Sequence, residues 1–410
     1  MPKILFKLSH YPQVSETFVT AQIVTAIKCG FDVQILVKKF IDFKGKGLDE
    51  VFEKYSLEEK IIEEKIKIPR KRISRWVGAF ILLVQNIRYL PKILLLIEEN
   101  KKLDLTILYK MNFYKKFRGT EIVHIQFGNN HQPFEILKKV GFINSKIIVS
   151  FHGHDAFFPI YGFIQPGYYD RLFKYGNLVV TNTPYLEKQV ASLGCAVEKL
   201  ISIPIGVDTT FFKPKKNKIT DSDSVKIITV GRLDKVKGHE YGIMVIEKLI
   251  KFGRNVKFII IGDGEERGSL QKILVDKQLE GTVNLVGKKN QEEVRDLLRS
   301  SDIYLFTGVP VENNRRETQG LATLEAQACG LPVVLFNSGG VKYTIDNGET
   351  GFLVKEYDVD TVVSRIELLM GNSALRKKMG QKAISFVECK FSQKSIDRIW
   401  CKTYNQLINE

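Results

Sequence analysis

Cysteine and histidine are both scarce in this chain of 410 residues, and their scarcity excludes several kinds of site. The five cysteines, Cys29, Cys195, Cys329, Cys389 and Cys401, lie far apart and share no paired or metal-type spacing. A framework of disulfides or a structural zinc site is therefore not expected. Cysteine usage of this kind is typical of proteins that work in a reducing cytoplasm.

Long apolar runs are also missing from the sequence. The longest, 76–84, is followed by Gln85, Asn86 and Arg88, so it falls short of the roughly 20 apolar residues that span a bilayer. The amino-terminal residues lead directly into a strand-like segment and lack the apolar core of a secretory signal. The sequence thus predicts neither a transmembrane helix nor export.

Negative charge is the minority sign. There are 46 acidic residues against 62 Lys and Arg, which gives a formal net charge of +16. A chain this basic is expected to meet an acidic partner, either nucleic acid, an anionic membrane face or a phosphorylated substrate. Zinc-finger spacing, an RNA-recognition signature and a helix-turn-helix are all missing, so nucleic acid is not expected as a partner.

Strand-like and helix-like segments alternate along the chain in two successive sets, which is typical of parallel α/β domains. The strands predicted in the first set are 3–8, 33–37, 122–127, 146–151 and 178–181. Those in the second set are 225–230, 256–261, 283–286, 303–306 and 333–336. A polar segment that contains Pro214 separates the sets. The predicted fold class is therefore α/β, with two doubly wound Rossmann-like domains.

The most informative segment is 316–334, which follows the predicted strand 303–306. It places one carboxylate, Glu317, in a loop and a second, Glu325, inside a helix that begins near Gly320. Both can point into the space above the amino end of that helix, where backbone N–H groups and the helix dipole favour a phosphate. The pattern suits a nucleotide diphosphate sugar, although two such acids in isolation would be read as solvated surface residues.

Glu317, seven intervening residues and Glu325, with Ala-Cys-Gly-Leu-Pro-Val-Val at 328–334, resemble the signature of the retaining family 4 glycosyltransferases. The resemblance implies the GT-B fold, in which two Rossmann-like domains face a central cleft and the last helix crosses back to the first domain. The expected boundaries are 1–210 for the acceptor-binding domain, 211–224 for the linker, 225–388 for the nucleotide-sugar-binding domain and 389–410 for the returning helix. Ser-Glu-Thr-Phe at 15–18 is similar to the branch that builds bacterial exopolysaccharides of the colanic acid and amylovoran type.

The resemblance also implies roles for charged residues of the second domain. The first Glu of the signature contacts hydroxyls of the donor sugar and the second holds the nucleotide ribose, so these roles fall to Glu317 and Glu325. Arg232 and Lys237 lie in a Gly-Arg-Leu…Lys-Gly element after the predicted strand 225–230. They would bind the leaving diphosphate, Arg232 as a fork and Lys237 as a point charge.

Backbone groups in glycine turns are expected to complete the donor site. By resemblance the nucleobase is lined by Gly262, Gly264, Val286 and Gly287. Gly320 and Leu321 would donate backbone N–H groups to the diphosphate. A plain chain reversal is the alternative for any one of these glycines. Thr318 and Gln319 depart from the commonest family pattern, a glycine and an aromatic, which leaves base and sugar preference open.

Two histidines one residue apart, His152 and His154, follow the predicted strand 146–151. With only six histidines in the chain, such a pair is not expected as core filler. A metal site is one interpretation. The resemblance instead gives His152 the stabilisation of positive charge at the reacting carbon of the sugar, and Asp155 would orient this loop or an acceptor hydroxyl.

Ser15, Glu16 and Thr17 stand where the first strand turns into the first helix, and we expect them to contact the acceptor. A structural alternative explains them equally well, because Ser15 is a good N-cap and Glu16 would lie in the first helical turn.

A basic cluster of Arg70, Lys71, Arg72 and Arg75 stands beside Trp76 and an apolar run. Such a segment can lie on an anionic inner leaflet, with charge at the headgroups and Trp at the interface. A core helix with a solvated basic flank is the alternative.

These patterns and the resemblance predict a retaining glycosyltransferase. It would move a hexose from a nucleotide diphosphate sugar, expected to be a UDP-sugar, to a saccharide or lipid-linked oligosaccharide. No metal and no cofactor are expected, since positive groups would stabilise the leaving group. The expected location is cytoplasmic, on the inner face of the cell membrane. The alternatives are an epimerase of the same fold, an inactive sugar-binding scaffold and an NAD-linked oxidoreductase, the last disfavoured by the glycine spacing at 262–268.

Overall fold

The computed structural model describes residues 1–13, 16–45, 47–100, 104–157, 166–215 and 224–409. These residues form two compact units. The first contains 1–181, 187–203 and the chain from 397 onward, and the second contains 182–186 and 204–396. Most of the expected linker, 216–223, lies outside the described residues.

Within the described residues, the first unit is built on a parallel sheet of seven strands. In chain order they are β1 (Lys3–Tyr11), β2 (Asp32–Phe40), β3 (Ile61–Glu63), β4 (Ile122–Gln126), β5 (Lys146–Ser150), β6 (Leu178–Thr181) and β7 (Leu200–Ser202). Their spatial order is β3-β2-β1-β4-β5-β6-β7. The central strand β1 is fully buried at Ile4, Leu5 and Phe6, as expected of a parallel strand covered on both faces.

Helices follow the strands of the first unit as crossover connections. They are α1 (Thr17–Lys28), α2 (Asp49–Lys54), α3 (Arg72–Gln85), α4 (Leu90–Asn100), α5 (Thr106–Tyr114), α6 (Phe134–Lys139), α7 (His154–Phe157), α8 (Asp170–Tyr175) and α9 (Pro184–Ser192). The long β3–β4 connection carries α3, α4 and α5 and holds the basic cluster noted above.

The second unit repeats the plan. Its described strands are β8 (Val225–Val230), β9 (Val256–Ile261), β10 (Val283–Gly287), β11 (Ile303–Phe306), β12 (Val333–Phe336) and β13 (Gly351–Val354), in the parallel order β10-β9-β8-β11-β12-β13. Its helices are α10 (His239–Lys251), α11 (Arg267–Asp276), α12 (Gln291–Arg299), α13 (Leu321–Ala328), α14 (Val359–Gly371) and α15 (Ser373–Lys390). Strands β8 and β11 are neighbours, so the loops that follow them lie side by side.

The last helix, α16 (Gln393–Asn409), belongs to the first unit from Asp397 onward. There Trp400 and Tyr404 are buried against the ring of His124 on β4. The hydroxyl of Thr25 on α1 donates to the Asp397 carboxylate at 2.6 Å. The final helix therefore completes the core of the unit in which the chain begins.

A disulfide joins Cys29, at the end of α1, to Cys401 on α16. The expectation of no disulfide was wrong at this pair. The two cysteines are 372 positions apart in sequence, and only the packing of α16 beside α1 brings their Cα atoms to 5.5 Å. The positions of the cysteines in the sequence therefore could not predict this pair.

The ten strands predicted from apolar runs are all present, and their ends differ from the predicted ones by at most three residues. The structure adds β3, β7 and β13, which have three or four residues each. Each lies at the edge of its sheet in the described residues, where burial on both faces is not required. Their apolar runs are therefore too short to predict a strand.

In the part of the chain that the structure describes, no single helix is long and apolar enough to cross a bilayer. The pair Arg72–Gln85 and Ile87–Glu99, bent by 82°, meets the length and composition of a span only when taken together.

Candidate active site

Lys237 and Glu317 meet at the carboxyl end of the second sheet. Lys237 ends the 3₁₀ turn after β8, and Glu317 lies in the loop after the neighbouring strand β11. Their charged groups form an ion pair in which each side chain is less than one-fifth exposed. Burial alone would raise the pKa of Glu317, but the Lys237 ammonium and the backbone N–H of Thr318 hold it below its ordinary value. Glu317 is therefore ionised and can accept hydrogen bonds from hydroxyl groups.

Glu325 lies one turn into α13, on the same β11–β12 connection as Glu317. Burial raises the pKa of Glu325 to about 7. Burial also raises the pKa of the Tyr304 hydroxyl on β11, and the charges of Glu325 and Glu317 both add to that effect.

Arg232 follows β8 on the same loop as Lys237, but its guanidinium points to solvent and is three-quarters exposed. It pairs with the Asp234 carboxylate at 3.2 Å. The backbone of Arg232 is fixed, because its carbonyl lies 3.1 Å from Nε2 of the buried His239. Sequence reasoning missed His239, although its place directly after Gly238 at the start of α10 was a signal.

The glycine loops after β8 and β9 interlock. A Cβ atom at Gly262 would overlap the carbonyl oxygen of Gly231, and one at Gly264 would overlap that of Leu233. Gly262 also has φ +144°, a conformation that side chains rarely adopt. Backbone contact between the two loops is thus a structural reason for both glycines, beside the expected contact with a nucleobase.

Val286 and Gly287 end β10 next to these loops. The pairing of β10 with β9 shifts its register between Leu285 and Gly287, so Val286 lies in a bulge. The N–H of Gly262 donates to the carbonyl of Gly287 at 3.0 Å. The residues expected around the base are therefore held together by backbone contacts at the carboxyl ends of neighbouring strands.

Gly320 caps α13 with φ +81°, and Leu321 is the first helical residue, as the sequence predicted. Sequence reasoning missed the loop Ser338-Gly339-Gly340 after β12. The N–H of Gly340 donates to the carbonyl of Glu317 at 2.8 Å, and a Cβ there would overlap the Thr318 carbonyl oxygen. Two consecutive glycines after a predicted strand were the available signal.

The unusual residue Gln319 has a structural role. Its side-chain amide accepts from the backbone N–H of Ile205 and donates to the carbonyl of the same residue, both at 2.9 Å. Gln319 is buried and its amide groups are used by these bonds. Gln319 therefore ties its loop to the backbone at Ile205.

In the first unit, His152 follows β5 and is held by a buried amide. The Gln126 amide nitrogen lies 2.7 Å from the Gln22 carbonyl oxygen and 3.3 Å from His124 Nε2, so it donates to both. Its remaining oxygen accepts from His152 Nε2 at 2.8 Å. Burial lowers the pKa of His152 to about 3. The ring is therefore neutral, with its proton on Nε2 and a lone pair on Nδ1.

Asp155 organises the loop that carries His152. Its carboxylate accepts from the backbone N–H groups of Gly128 at 2.7 Å, His152 at 3.0 Å and Gly153 at 2.9 Å. Burial raises the pKa of Asp155 to about 6 in spite of these bonds. Of the two roles expected for Asp155, the geometry supports orientation of the loop.

A polar pocket of about 260 Å³ opens beside this loop in the first unit. Its lining comprises Leu8, Ser9, His10, Gln13, Glu16, Phe127, Asn129, Asn130, His154 and Asp155. Burial raises the pKa of Glu16 to about 7. Within the described residues the Glu16 side chain makes no capping hydrogen bond to α1, which begins at Thr17. Ser15 lies outside the described residues.

The side-chain positions bear on the alternative interpretation of His152 and His154 as metal ligands. Nowhere in the described ranges do three or more His, Cys, Asp or Glu side chains form a group that could hold a metal ion.

Comparison with known proteins finds a family profile that matches part of the chain and relatives that match most of it. The profile of the family described as glycosyl transferases group 1 matches residues 211–386. The chain is 28% identical over 371 residues to the putative colanic acid biosynthesis glycosyltransferase WcaL of Escherichia coli K12, covering 89% of each chain. It is 27% identical over 403 residues to the amylovoran biosynthesis glycosyltransferase AmsK of Erwinia amylovora, covering 95% of this chain and 96% of that one.

Solved structures show the same fold. A glycosyltransferase from Rickettsia africae ESF-5 aligns with a TM-score of 0.72 at 17% identity, covering 100% of this chain and 99% of that one. Anabaena Alr3699/HepE, solved in complex with UDP and glucose, aligns with a TM-score of 0.71 at 15% identity, covering 99% and 100%. The predicted GT-B fold and the predicted resemblance to the colanic acid and amylovoran branch are confirmed.

Proposed function

Because residues 211–386 form a glycosyl transferases group 1 domain, we propose that this protein moves a hexose from a UDP-sugar to a saccharide acceptor with retention at the anomeric carbon. The observation that carries the proposal is the ion pair of Lys237 and Glu317, which sets a cation and an ionised acid at the carboxyl ends of two adjacent parallel strands. Open α/β sheets bind their ligands at this edge.

The donor would use the groups gathered in the second unit. Glu317 accepts hydrogen bonds from sugar hydroxyls, and Glu325 accepts from the ribose. Lys237 and the N–H groups of Gly320 and Leu321 stabilise the diphosphate, and the exposed Arg232 turns from Asp234 to the phosphates. A UDP-sugar is the proposed donor because HepE, which shares the fold, was solved with UDP and with UDP-glucose.

In the proposed step, the bond from the anomeric carbon to the diphosphate breaks while the acceptor oxygen bonds that carbon from the same face. The proton of the acceptor hydroxyl passes to an oxygen of the departing phosphate. Lys237 and Arg232 stabilise the negative charge that builds on the diphosphate, so the step needs no metal. His152 is neutral, and a neutral imidazole suits a neighbour that becomes positively charged, as the anomeric carbon does.

The acceptor is proposed to be a lipid-linked oligosaccharide in bacterial surface polysaccharide synthesis. Two relatives are named for the biosynthesis of colanic acid and amylovoran, and both align over about nine-tenths of this chain or more. The pocket beside Glu16 offers imidazole, amide and carboxyl groups, the kind of lining that sugar hydroxyls require. Transfer would take place at the cytoplasmic face of the cell membrane.

The test is a screen of UDP-, GDP- and TDP-sugars for thermal stabilisation, followed by transfer from the donor that binds. We expect a UDP-hexose to raise the melting temperature of the wild type but not of Lys237→Met. The product bond should keep the anomeric configuration of the donor, as read by NMR coupling constants. Binding of none of the nucleotide sugars would contradict the proposal, and donor epimerisation without acceptor would favour an epimerase.

A further inference from the structure

The helix α3 carries its large apolar side chains on the outside of the molecule. These residues recur at positions i, i+3, i+4, i+7, i+8 and i+11, which form one helical stripe. They are Ile73, Trp76, Val77, Phe80, Ile81 and Val84. Ile73 is 80% exposed and Phe80 is 68% exposed. In an amphipathic helix that packs on the core of a globular protein, the apolar side chains face inward and the polar ones face the solvent.

The opposite face of α3 fixes this orientation. Ala79 is buried there, and a Cβ on Gly78 would overlap the hydroxyl of Tyr109 on α5. The Tyr109 hydroxyl also donates to the carbonyl of Arg75 at 2.9 Å. Because small residues and this hydrogen bond seat the helix on α5, turning the apolar stripe inward would break the packing. The alternative of a core helix with a solvated basic flank is therefore wrong.

Exposed apolar residues also follow α3 along the chain. Ile87 in the following turn and Leu94 and Leu95 on α4 are each more than 40% exposed. We call these residues and the α3 stripe together the α3–α4 face. This stretch holds more exposed large apolar side chains than any other stretch of the described chain.

The stretch of chain that carries the α3–α4 face has charge of one sign. The sequence between Glu64 and Glu98 contains eight Lys and Arg residues and no acidic residue. Arg70, Lys71 and Arg72 are exposed at the amino end of α3, and Arg88 is exposed beside Ile87. Arg75 differs, because its guanidinium hydrogen bonds to the carbonyls of Pro69 and Arg70.

We propose that the α3–α4 face docks on an anionic lipid bilayer, with its apolar side chains at the acyl boundary and its basic residues at the headgroups. The charge argues for lipid and against a second copy of this chain, since two faces with basic rims would repel each other. This inference rests on the proposed function for its purpose, which is to bring the enzyme to a lipid-linked acceptor.

The first experiment measures binding of the full chain to vesicles of phosphatidylcholine with one-quarter phosphatidylglycerol by co-sedimentation. We expect Arg70→Ser/Lys71→Ser/Arg72→Ser to bind about 100-fold more weakly, since each basic residue near such a surface contributes a factor of about five. The matched control Lys377→Ser/Lys378→Ser/Lys394→Ser removes three exposed charges of the second unit and of the start of α16, and should bind like the wild type. Equal weakening in both variants would mean that vesicle binding depends on net charge and not on the position of the charges. That result would overturn the proposal.

A second experiment tests the apolar contact. Ile73→Ser/Phe80→Ser should bind the same vesicles at least tenfold more weakly, whereas Val197→Ser/Phe252→Ser, which removes exposed apolar residues elsewhere, should not. In a Trp400→Phe background, the emission of Trp76 should shift to the blue on vesicle addition and be quenched by brominated acyl chains. An unquenched Trp76 would overturn the proposal. So would a dimer that the wild type forms and Ile73→Ser/Phe80→Ser does not, since the α3–α4 face would then bind a second copy of the chain.

Vesicle binding is measured without any nucleotide sugar, so it can succeed or fail independently of transfer. The docking variants should keep wild-type transfer to a detergent-dispersed acceptor and lose transfer only to acceptor presented in vesicles. Loss of transfer in detergent as well would place these residues in the transfer reaction and overturn a pure docking role.

Discussion

His152 donates through Nε2 to the side-chain oxygen of Gln126 at 2.8 Å, and the other end of that amide is held by Gln22 and His124. The amide cannot rotate without losing two hydrogen bonds. The neutral ring of His152 therefore carries its proton on Nε2 and none on Nδ1. We regard Gln126 as a positioning residue for His152.

Gln126→Leu should lower turnover at least tenfold, because the ring of His152 loses the acceptor that fixes its tautomer. Gln126→Glu keeps an acceptor but adds a negative charge that raises the pKa of His152. Turnover of Gln126→Glu should then fall at low pH as the ring becomes cationic, in a range where the wild-type ring, with a pKa of about 3, stays neutral. The measurement is the pH profile of kcat for the wild type and the two variants, with circular dichroism as the control for folding. Matching profiles for Gln126→Glu and the wild type would assign Gln126 to packing alone.

The ion pair of Lys237 and Glu317 should matter for stability as well as for transfer. Lys237→Met leaves a carboxylate in a mostly buried place without its cation, which costs about 1–3 kcal/mol of unfolding free energy. The double variant Lys237→Met/Glu317→Gln should regain most of that loss in urea titrations while transfer stays absent. Additive losses in the double variant would show that the two charges do not couple.

Binding of UDP should depend on pH through Glu325. Its pKa in the folded protein is about 7, above its ordinary value, so the carboxylate that would accept the ribose hydroxyls is lost as pH falls through 7. We expect the affinity for UDP to fall about tenfold between pH 8 and pH 6, where the ionised fraction falls from about nine-tenths to one-tenth.

Glu325→Gln is the control for that titration, which is followed by isothermal calorimetry. It should bind UDP more weakly than the wild type at pH 8 and lack the extra pH dependence. Protonation of the nucleotide's own phosphate is common to both proteins and cancels in the comparison. An identical pH dependence in the two proteins would remove Glu325 from the ribose site.

Glu16 is predicted to act on the acceptor alone. Glu16→Gln keeps the shape of the side chain in the pocket but replaces an oxygen acceptor by an N–H₂ donor. At pH 8, where the Glu16 carboxyl is mostly ionised, the acceptor KM should rise about tenfold, which corresponds to about 1.4 kcal/mol, a magnitude expected for a hydrogen bond to a charged group. The affinity for UDP should not change. A changed affinity for UDP with an unchanged acceptor KM would reverse the assignment.

The bond between Cys29 and Cys401 should stabilise the oxidised protein by about 2–4 kcal/mol. Dithiothreitol should therefore lower the melting temperature of the oxidised wild type and leave Cys29→Ser unaffected. Equal response of both proteins would mean that the bond does not form in solution.

Much of the fold could be predicted because parallel strands leave a simple trace in sequence. A strand such as β12 is buried on both faces and appears as an unbroken apolar run, Val333–Phe336. The edge strand β7 has three residues and ends in Ser202, so no comparable run exists. The disulfide and the attachment of α16 to the first unit depend on contacts between distant segments, which no local pattern encodes.

The site divides in the same way. Lys237, Glu317 and Glu325 were predicted because they belong to sequence signatures, and the structure brings Lys237 and Glu317 together. The roles given to all the site residues stay predictions. The hydrogen bond of Gln126 to His152, the contact of His239 and the Gly339-Gly340 loop were not found from the sequence, because their importance comes from which side chain or loop lies opposite them in space. The pairing of Arg232 with Asp234 likewise depends on the rotamer that the loop allows.

The burial of Trp400 and Tyr404 in the first unit sets the order in which the protein can mature on the ribosome. Domains usually fold in the order of their synthesis. Here the first unit lacks two of its core aromatic rings until α16 has been made, so its folding waits for a segment that is synthesised after residues 204–396. A nascent chain truncated before Trp400 would leave the rings of His124 and Phe31 without these contacts.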